Sequence, residues 1–174
     1  LVIFMKRVSV VRCNTYNLSE LKDHIQRCCE LVGGLQKYIK KGDRVLLKPN
    51  FLMAKPAESA VTTHPNFIVA VCELISDIGV ASIIIGDSPG IGNSLKVAKT
   101  LKLIPMVEKY NAKIINFNES KTIKANGLFK KFEISNVVDS VDKIISLPKI
   151  KTHGQLYLTA AVKNNFGFYV SKWF

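Results

Sequence analysis

The sequence predicts an α/β fold, a predominantly parallel or mixed sheet with flanking helices, on three observations. Short apolar runs recur along the chain, and several are separated by amphipathic segments of helical length. Three of those runs empty directly into polar, proline-containing loops. The composition, 48% apolar and 22% charged over 174 residues, suits one globular domain, or a fragment of one, with a sizeable core.

The elements come in order. Arg7 to Val11 is apolar enough for a first strand, and Leu18 to Tyr38 reads as helix until Gly33-Gly34 interrupts it. Gly42-Asp43 turns into Arg44-Val45-Leu46-Leu47, a buried strand that Lys48-Pro49-Asn50 should stop. Thr62-Thr63-His64-Pro65 is a helix start, with proline suited to the first turn. Phe67, Val71, Leu74 and Ile78 then share one helical face, and Gly79 ends it. Ala81 to Ile85 is the next strand, with Gly86-Asp87-Ser88-Pro89-Gly90 as its exit. A helical region from about Ser94 must kink or divide at Pro105. Lys113 to Phe117, Lys121 to Ala125, Phe129 to Ile134 and Lys143 to Leu147 read as further strands, the last running into Pro148-Lys149-Ile150-Lys151-Thr152-His153-Gly154.

The ends of the chain carry their own expectations. Met5 is a plausible natural initiator, which would put residues 1–4 upstream of it, and the apolar opening lacks the charge order and cleavage site of a signal peptide. The aromatic stretch Phe166 to Phe174 looks like chain that packs against further polypeptide or an oligomer partner. No apolar run reaches the length of a membrane span, so no membrane partner and a cytoplasmic location are expected.

Charge and cysteine usage narrow the function classes. The formal charge is +12, and Lys96 to Lys131 alone holds nine lysines against Glu108 and Glu119. This favours anionic partners, nucleic acid among them, but no helix-turn-helix, zinc-finger or aromatic RNA-binding signature accompanies the lysines. Cys13, Cys28, Cys29 and Cys72 form no CxxC, so the chain contains no recognisable iron–sulfur cluster motif and no cofactor is named by its residues.

The polar loops after the strands are the candidate site, because ligands of open α/β sheets gather beyond the carboxyl ends of strands. Lys48 offers a point charge for phosphate or carboxylate, and Asn50 an oriented donor and acceptor. Asp87 could orient a ligand or cation or act as a base, with Ser88 adding a donor between flexible glycines. Lys149, Lys151, Thr152 and His153 combine charge stabilisation with proton-transfer chemistry. Lys163 and Asn164 form a fourth polar patch before Gly167, where a helix C-terminus is the structural alternative. His64, Asp87 and His153 would make three metal ligands if their loops converged.

Taken in order, Lys48-Pro49-Asn50, Thr62-Thr63-His64-Pro65, Gly86-Asp87-Ser88-Pro89-Gly90, Leu147-Pro148-Lys149-Ile150-Lys151-Thr152-His153 and Val162-Lys163-Asn164-Asn165-Phe166-Gly167 resemble the DUF362 domain family, from about Arg44 through Gly167. Many members of that family carry a ferredoxin-like segment outside this core. The resemblance therefore implies an incomplete family core and an iron–sulfur domain or redox partner beyond these residues.

Three functional readings result. The leading one is an enzyme core that binds a small carboxylated or phosphorylated metabolite. Lys149, His153 and Asp87 would be its catalytic groups, with Lys48, Asn50, Ser88, Lys151, Thr152, Lys163 and Asn164 binding substrate. The alternatives are a redox-associated binding module partnered with an iron–sulfur domain, and a basic nucleic-acid-binding protein.

Overall fold

A computed structural model describes residues 7–170. The expectations for Met5, for residues 1–4 and for the last four residues lie outside that range. Two long helices and a run of parallel strands organise the chain. Helix α1 (Leu18–Glu30) is capped by Asn17, whose side chain accepts from Ser19 and Glu20. After Gly33 and Gly34, both with positive φ, a short 3₁₀ turn leads to β1 (Arg44–Pro49). Helix α2 (Pro65–Ile78) opens as the sequence predicts, with His64 as its cap and Pro65 in the first turn, and Gly79 closes it in the left-handed region.

Strand β2 (Ser82–Asp87) is next, then α3 (Ser94–Thr100), α4 (Leu103–Glu108) and β3 (Ala112–Asn116). The expected division of the α3–α4 region occurs at Lys102, whose φ is +52°, rather than at Pro105. Pro105 sits in the first turn of α4, where its missing N–H would have had no intrahelical acceptor. An antiparallel ribbon succeeds them, β4 (Ser120–Lys124) and β5 (Lys131–Ser135), before β6 (Lys143–Leu147). A second small ribbon, β7 (Lys151–His153) with β8 (Tyr157–Thr159), leads into the short helix α5 (Ala161–Asn164) and a 3₁₀ turn over Asn165–Phe168.

The central sheet has the order β3-β2-β1-β6 and is parallel throughout; antiparallel pairing is confined to the two ribbons. β1 and β2 are near-continuous apolar runs because both faces of a parallel sheet are covered. Val45, Leu47, Ile83 and Ile85 face the helical layer and pack with Ile68, Cys72 and Val97. Leu46 points the other way, toward Phe117 and Val137, with Phe168 and Val170 packed alongside. The pairing of β1 with β2 ends at Leu47, whereas that with β6 runs on to Pro49, so the proline narrows the ladder without stopping it.

One predicted element does not form. Residues 7–17 hold no regular structure, and Val8 and Val10 are highly exposed. Among the described residues no strand pairs with them, and the segment is held by Ser9, whose hydroxyl donates to the Cys28 carbonyl at 2.6 Å. The alternation in Arg7–Val11 signals a strand, but the segment joins neither β3 nor β6, the two edges of the central sheet, and alternation alone supplies no pairing partner.

The topology positions the site. β2 and β3 lie to one side of β1 and β6 to the other, so chain direction across the sheet reverses beside β1. The crevice beyond the carboxyl ends of strands at such a reversal is where open α/β sheets bind ligands.

Candidate functional site

The ends of β1 and β2 deliver Lys48 and Asp87 to one point. Lys48 Nζ donates to Asp87 Oδ1 at 2.6 Å, with the lysine side chain 0% and the aspartate 4% exposed. Asp87 Oδ2 accepts from the Phe51 N–H at 2.8 Å. The Asp87 backbone is held by Ser94, whose Oγ accepts its N–H at 3.0 Å and donates to its carbonyl at 2.8 Å. From α5, Asn164 Nδ2 donates to the Lys48 carbonyl and to Ser146 Oγ, each at 3.0 Å, and its Oδ1 accepts from Lys48 Nζ at 3.5 Å. Burial pushes the Lys48 ammonium below its ordinary pKa and the Asp87 carboxyl above its own, while each is drawn back by the other's charge.

The turn over residues 165–168 lies directly on this pair. A Cβ at Gly167 would sit 2.0 Å from Asp87 Oδ1 and 2.6 Å from Lys48 Nζ. The Ser88 N–H donates to the Gly167 carbonyl at 3.1 Å, and the Phe168 ring covers Lys48 Nζ at 5.3 Å from its centroid. Glycine is required there for close approach of backbone to side chains. This patch, readable from sequence as either a cleft wall or a helix end, is thus both: α5 ends at Asn164, and the turn beyond it seals the ion pair.

Beside the pair opens a cleft of about 1030 Å³. Asn50, Asp87, Ser88, His153, Lys163 and Asn164 line it, so six of the sequence-predicted residues meet there. Phe117, Asn118, Ser120, Glu133, Phe166 and Tyr169 complete much of the wall. His153 Nδ1 accepts from the backbone N–H groups of Gln155 and Leu156 at 3.2 and 3.1 Å. With Nδ1 committed as an acceptor, the neutral ring carries its proton on Nε2 and presents a donor.

Lys151, half-buried on β7, donates to the Val61 carbonyl. Its pKa is lowered first by burial and then by the charges of Lys163 and Lys149, with Asp87 acting in the opposite sense. Lys151 is not part of the cleft wall. Of three buried polar atoms with no hydrogen-bond partner among the described residues, Thr62 Oγ1, Thr159 Oγ1 and Asn50 Oδ1, only the last belongs to a cleft-lining residue. Thr159 is the cross-strand partner of Lys151, Thr62 comes after the Val61 that Lys151 contacts, and Asn50 is tied to Thr63 through both backbone groups. Buried polar groups without partners cost of the order of 1–3 kcal/mol each and call for an explanation. The sequence pattern marks neither Thr62 as a ligand group nor Thr159; Thr159 lies in an apolar run with no motif around it.

The remaining predicted residues go elsewhere. Thr152 is exposed, on the opposite face of β7 from Lys151 and His153. Lys149 joins Tyr16 and His64 outside the cleft wall: its Nζ lies 3.4 Å from the Tyr16 hydroxyl, and the Tyr16 and His64 rings stack at 3.8 Å. Burial, and then the Lys149 charge, lower the His64 pKa. The metal reading of His64, Asp87 and His153 is corrected by this arrangement. His64 Nδ1 caps α2 by accepting from Asn66, Asp87 is held by Lys48, and His153 Nδ1 is taken by two backbone donors. Among the described residues no group of three or more His, Cys, Asp or Glu side chains is placed to hold a metal ion. Likewise no helix among them is long and apolar enough to cross a membrane.

The chain is thus an α/β domain with a parallel central sheet and a polar cleft at the ends of its strands. The chain belongs to the family described as "Domain of unknown function (DUF362)", whose model matches residues 45–173. It is also 32% identical over 163 residues to the "Thylakoid-associated protein sll1697" of Synechocystis sp., covering 94% of this chain and 50% of that protein. The chain thus spans about half the length of this curated relative. No solved structure matches it.

Proposed function

We propose that this domain binds a small oxyanion, the phosphate or carboxylate group of a metabolite, in the strand-end cleft. The observation that carries the reading is the charge balance around Lys151. Lys163 and Lys149 are near enough to depress its pKa, while Asp87, the acid acting on it, is neutralised by Lys48. Glu133 is the one other carboxylate in the cleft wall, and it is exposed. A concave, partly desolvated site with surplus cations attracts an anion. Lys163 in the cleft wall, and Lys151 within Coulombic reach of it, supply charge, and the His153 Nε2–H a directed donor.

The roles expected from sequence shift accordingly. Lys48 and Asp87 hold the floor of the site rather than touching the ligand, and Lys149 stands with Tyr16 outside it. His153 is the remaining candidate for proton transfer, and its hydrogen bonding favours donation to the ligand over abstraction from it. Calorimetric titration of the chain with inorganic phosphate and with acetate at low ionic strength tests the reading. Lys151→Met and Lys163→Met should each weaken binding about tenfold, the worth of one charge-assisted hydrogen bond. Affinity unchanged by both substitutions would overturn it.

A further inference from the structure

The ribbon of β4 and β5 carries features that neither the cleft nor the core uses. Its connecting loop holds Leu128 at 92% and Phe129 at 65% exposure, with the Phe129 ring 5.9 Å from that of Phe132. Exposed apolar side chains of this size grouped at the end of a ribbon mark an interaction surface more often than isolated ones do. Lys130 at the end of the loop and Lys124 and Lys131 on the strands behind it are all exposed and, among the described residues, in no ion pair. Lys124 and Lys131 are direct cross-strand partners. Two like charges facing each other across a ribbon weaken it unless an anion lies against them. No acidic residue occurs between Ser120 and Phe132, and Glu133 is the first.

We propose that this ribbon docks on an anionic lipid surface, with Leu128 and Phe129 entering the headgroup–acyl boundary and the three lysines lying against the headgroups. An apolar apex inside a collar of lysines matches both layers of such a surface: apolar burial supplies one part of the affinity and lysine–headgroup attraction the other. The long lysine stems can cover apolar surface while their ammonium groups stay at the charged level. Single-stranded nucleic acid would also meet lysines and aromatic rings. It would gain nothing from Leu128, however, the most exposed large hydrophobic residue described, because base stacking needs a flat π-face. Surface burial, charge and apex geometry therefore favour lipid.

Vesicle co-sedimentation of the whole chain tests this, using phosphatidylcholine alone and phosphatidylcholine with roughly one-third phosphatidylglycerol. Binding is expected to the anionic vesicles and not to the neutral ones. Leu128→Ser/Phe129→Ser should reduce it about tenfold or more, since two apolar side chains lose their burial. Lys124→Gln/Lys130→Gln/Lys131→Gln should reduce it further and remove its salt dependence. These positions are exposed, and an unchanged thermal midpoint for each variant would show that folding is intact. No binding to anionic vesicles, or binding that the Leu128/Phe129 variant leaves unchanged, would overturn the proposal. So would binding to an oligonucleotide that depends on the lysines alone, accompanied by no vesicle binding.

Discussion

Replacing Lys48 by methionine should destabilise the fold far more than its chain position suggests. The lysine is wholly buried and its Nζ is 2.6 Å from Asp87 Oδ1. Methionine fills most of the volume but leaves the carboxylate without its counter-charge in a desolvated site. Removing one partner of a buried pair typically costs about 3–5 kcal/mol, a large part of a domain's net stability. The double substitution Lys48→Met/Asp87→Asn removes both charges, and the asparagine Oδ1 can still accept from the Phe51 N–H now bound at 2.8 Å. It should recover most of the loss, ending within about 1–2 kcal/mol of the parent. The pH dependence is set by the direction of the shift. Burial raises the folded-state carboxyl above its unfolded value, so the Lys48→Met protein keeps its stability while Asp87 is protonated at low pH. That stability is lost as pH rises through the folded-state value, and the deficit against the parent grows. Urea unfolding of the four proteins of the cycle, at pH 7 and pH 4, measures it. A single-substitution cost below about 1 kcal/mol, or a double variant no better than Lys48→Met, would refute the reasoning.

Three further outcomes are expected. Gly167→Ala should destabilise the fold by about 2 kcal/mol or more, because a methyl group 2.0 Å from Asp87 Oδ1 must displace either the ion pair or the turn above it; an unchanged urea midpoint would contradict this. Thr159→Val removes a buried hydroxyl that has no partner among the described residues, so the variant should be as stable as the parent or up to about 1 kcal/mol more stable; a clear loss of stability in urea unfolding would contradict it. Asp142, bonded by Arg44 through its side chain and backbone N–H, has its carboxyl held down to about 2, so it adds stability above its ordinary value near 3.8 and loses it as pH falls toward 2. Thermal midpoints of Asp142→Asn should therefore vary less with pH across that interval than those of the parent, and equal slopes would count against the bond.

Much of the fold is legible in the residues because local signals and tertiary packing agree. The His64–Pro65 start and Gly79 stop of α2 and the apolar runs of β1, β2 and β6 each satisfy a local rule that the sheet also requires. Arg7–Val11 shows the opposite case. Its alternation is real, but whether a strand forms depends on the segment docking against one of the sheet's edges, which no local pattern records. The β7–β8 ribbon escapes a reading of periodicity because its strands are three residues long and Leu156, Tyr157 and Leu158 lie exposed rather than in a core.

Of the site, the convergence of Lys48, Asn50, Asp87 and His153 can be anticipated from their shared position at strand ends, with Lys163 standing apart as a separate polar patch on α5. Their division of labour cannot. Lys48 and Lys151 are both lysines at strand boundaries, yet one is neutralised at the floor and the other is surrounded by cations. That difference comes from which carboxylate each meets, and it depends on the turn at Gly167 more than a hundred residues away from Lys48 in sequence. Thr152 and Lys149 are separated from Lys151 and His153 by strand alternation and by the Tyr16–His64 stack, contacts that adjacency in the chain conceals.

The central claim, an oxyanion site in the strand-end cleft, is tested most directly by a crystal of the chain soaked in selenate and measured at the selenium absorption edge. One strong anomalous peak is expected in the cleft, within hydrogen-bonding reach of His153 Nε2 and of the Lys151 or Lys163 ammonium. Anomalous density confined to surface lysines such as Lys124 and Lys131, with none beside His153 at saturating selenate, would contradict it.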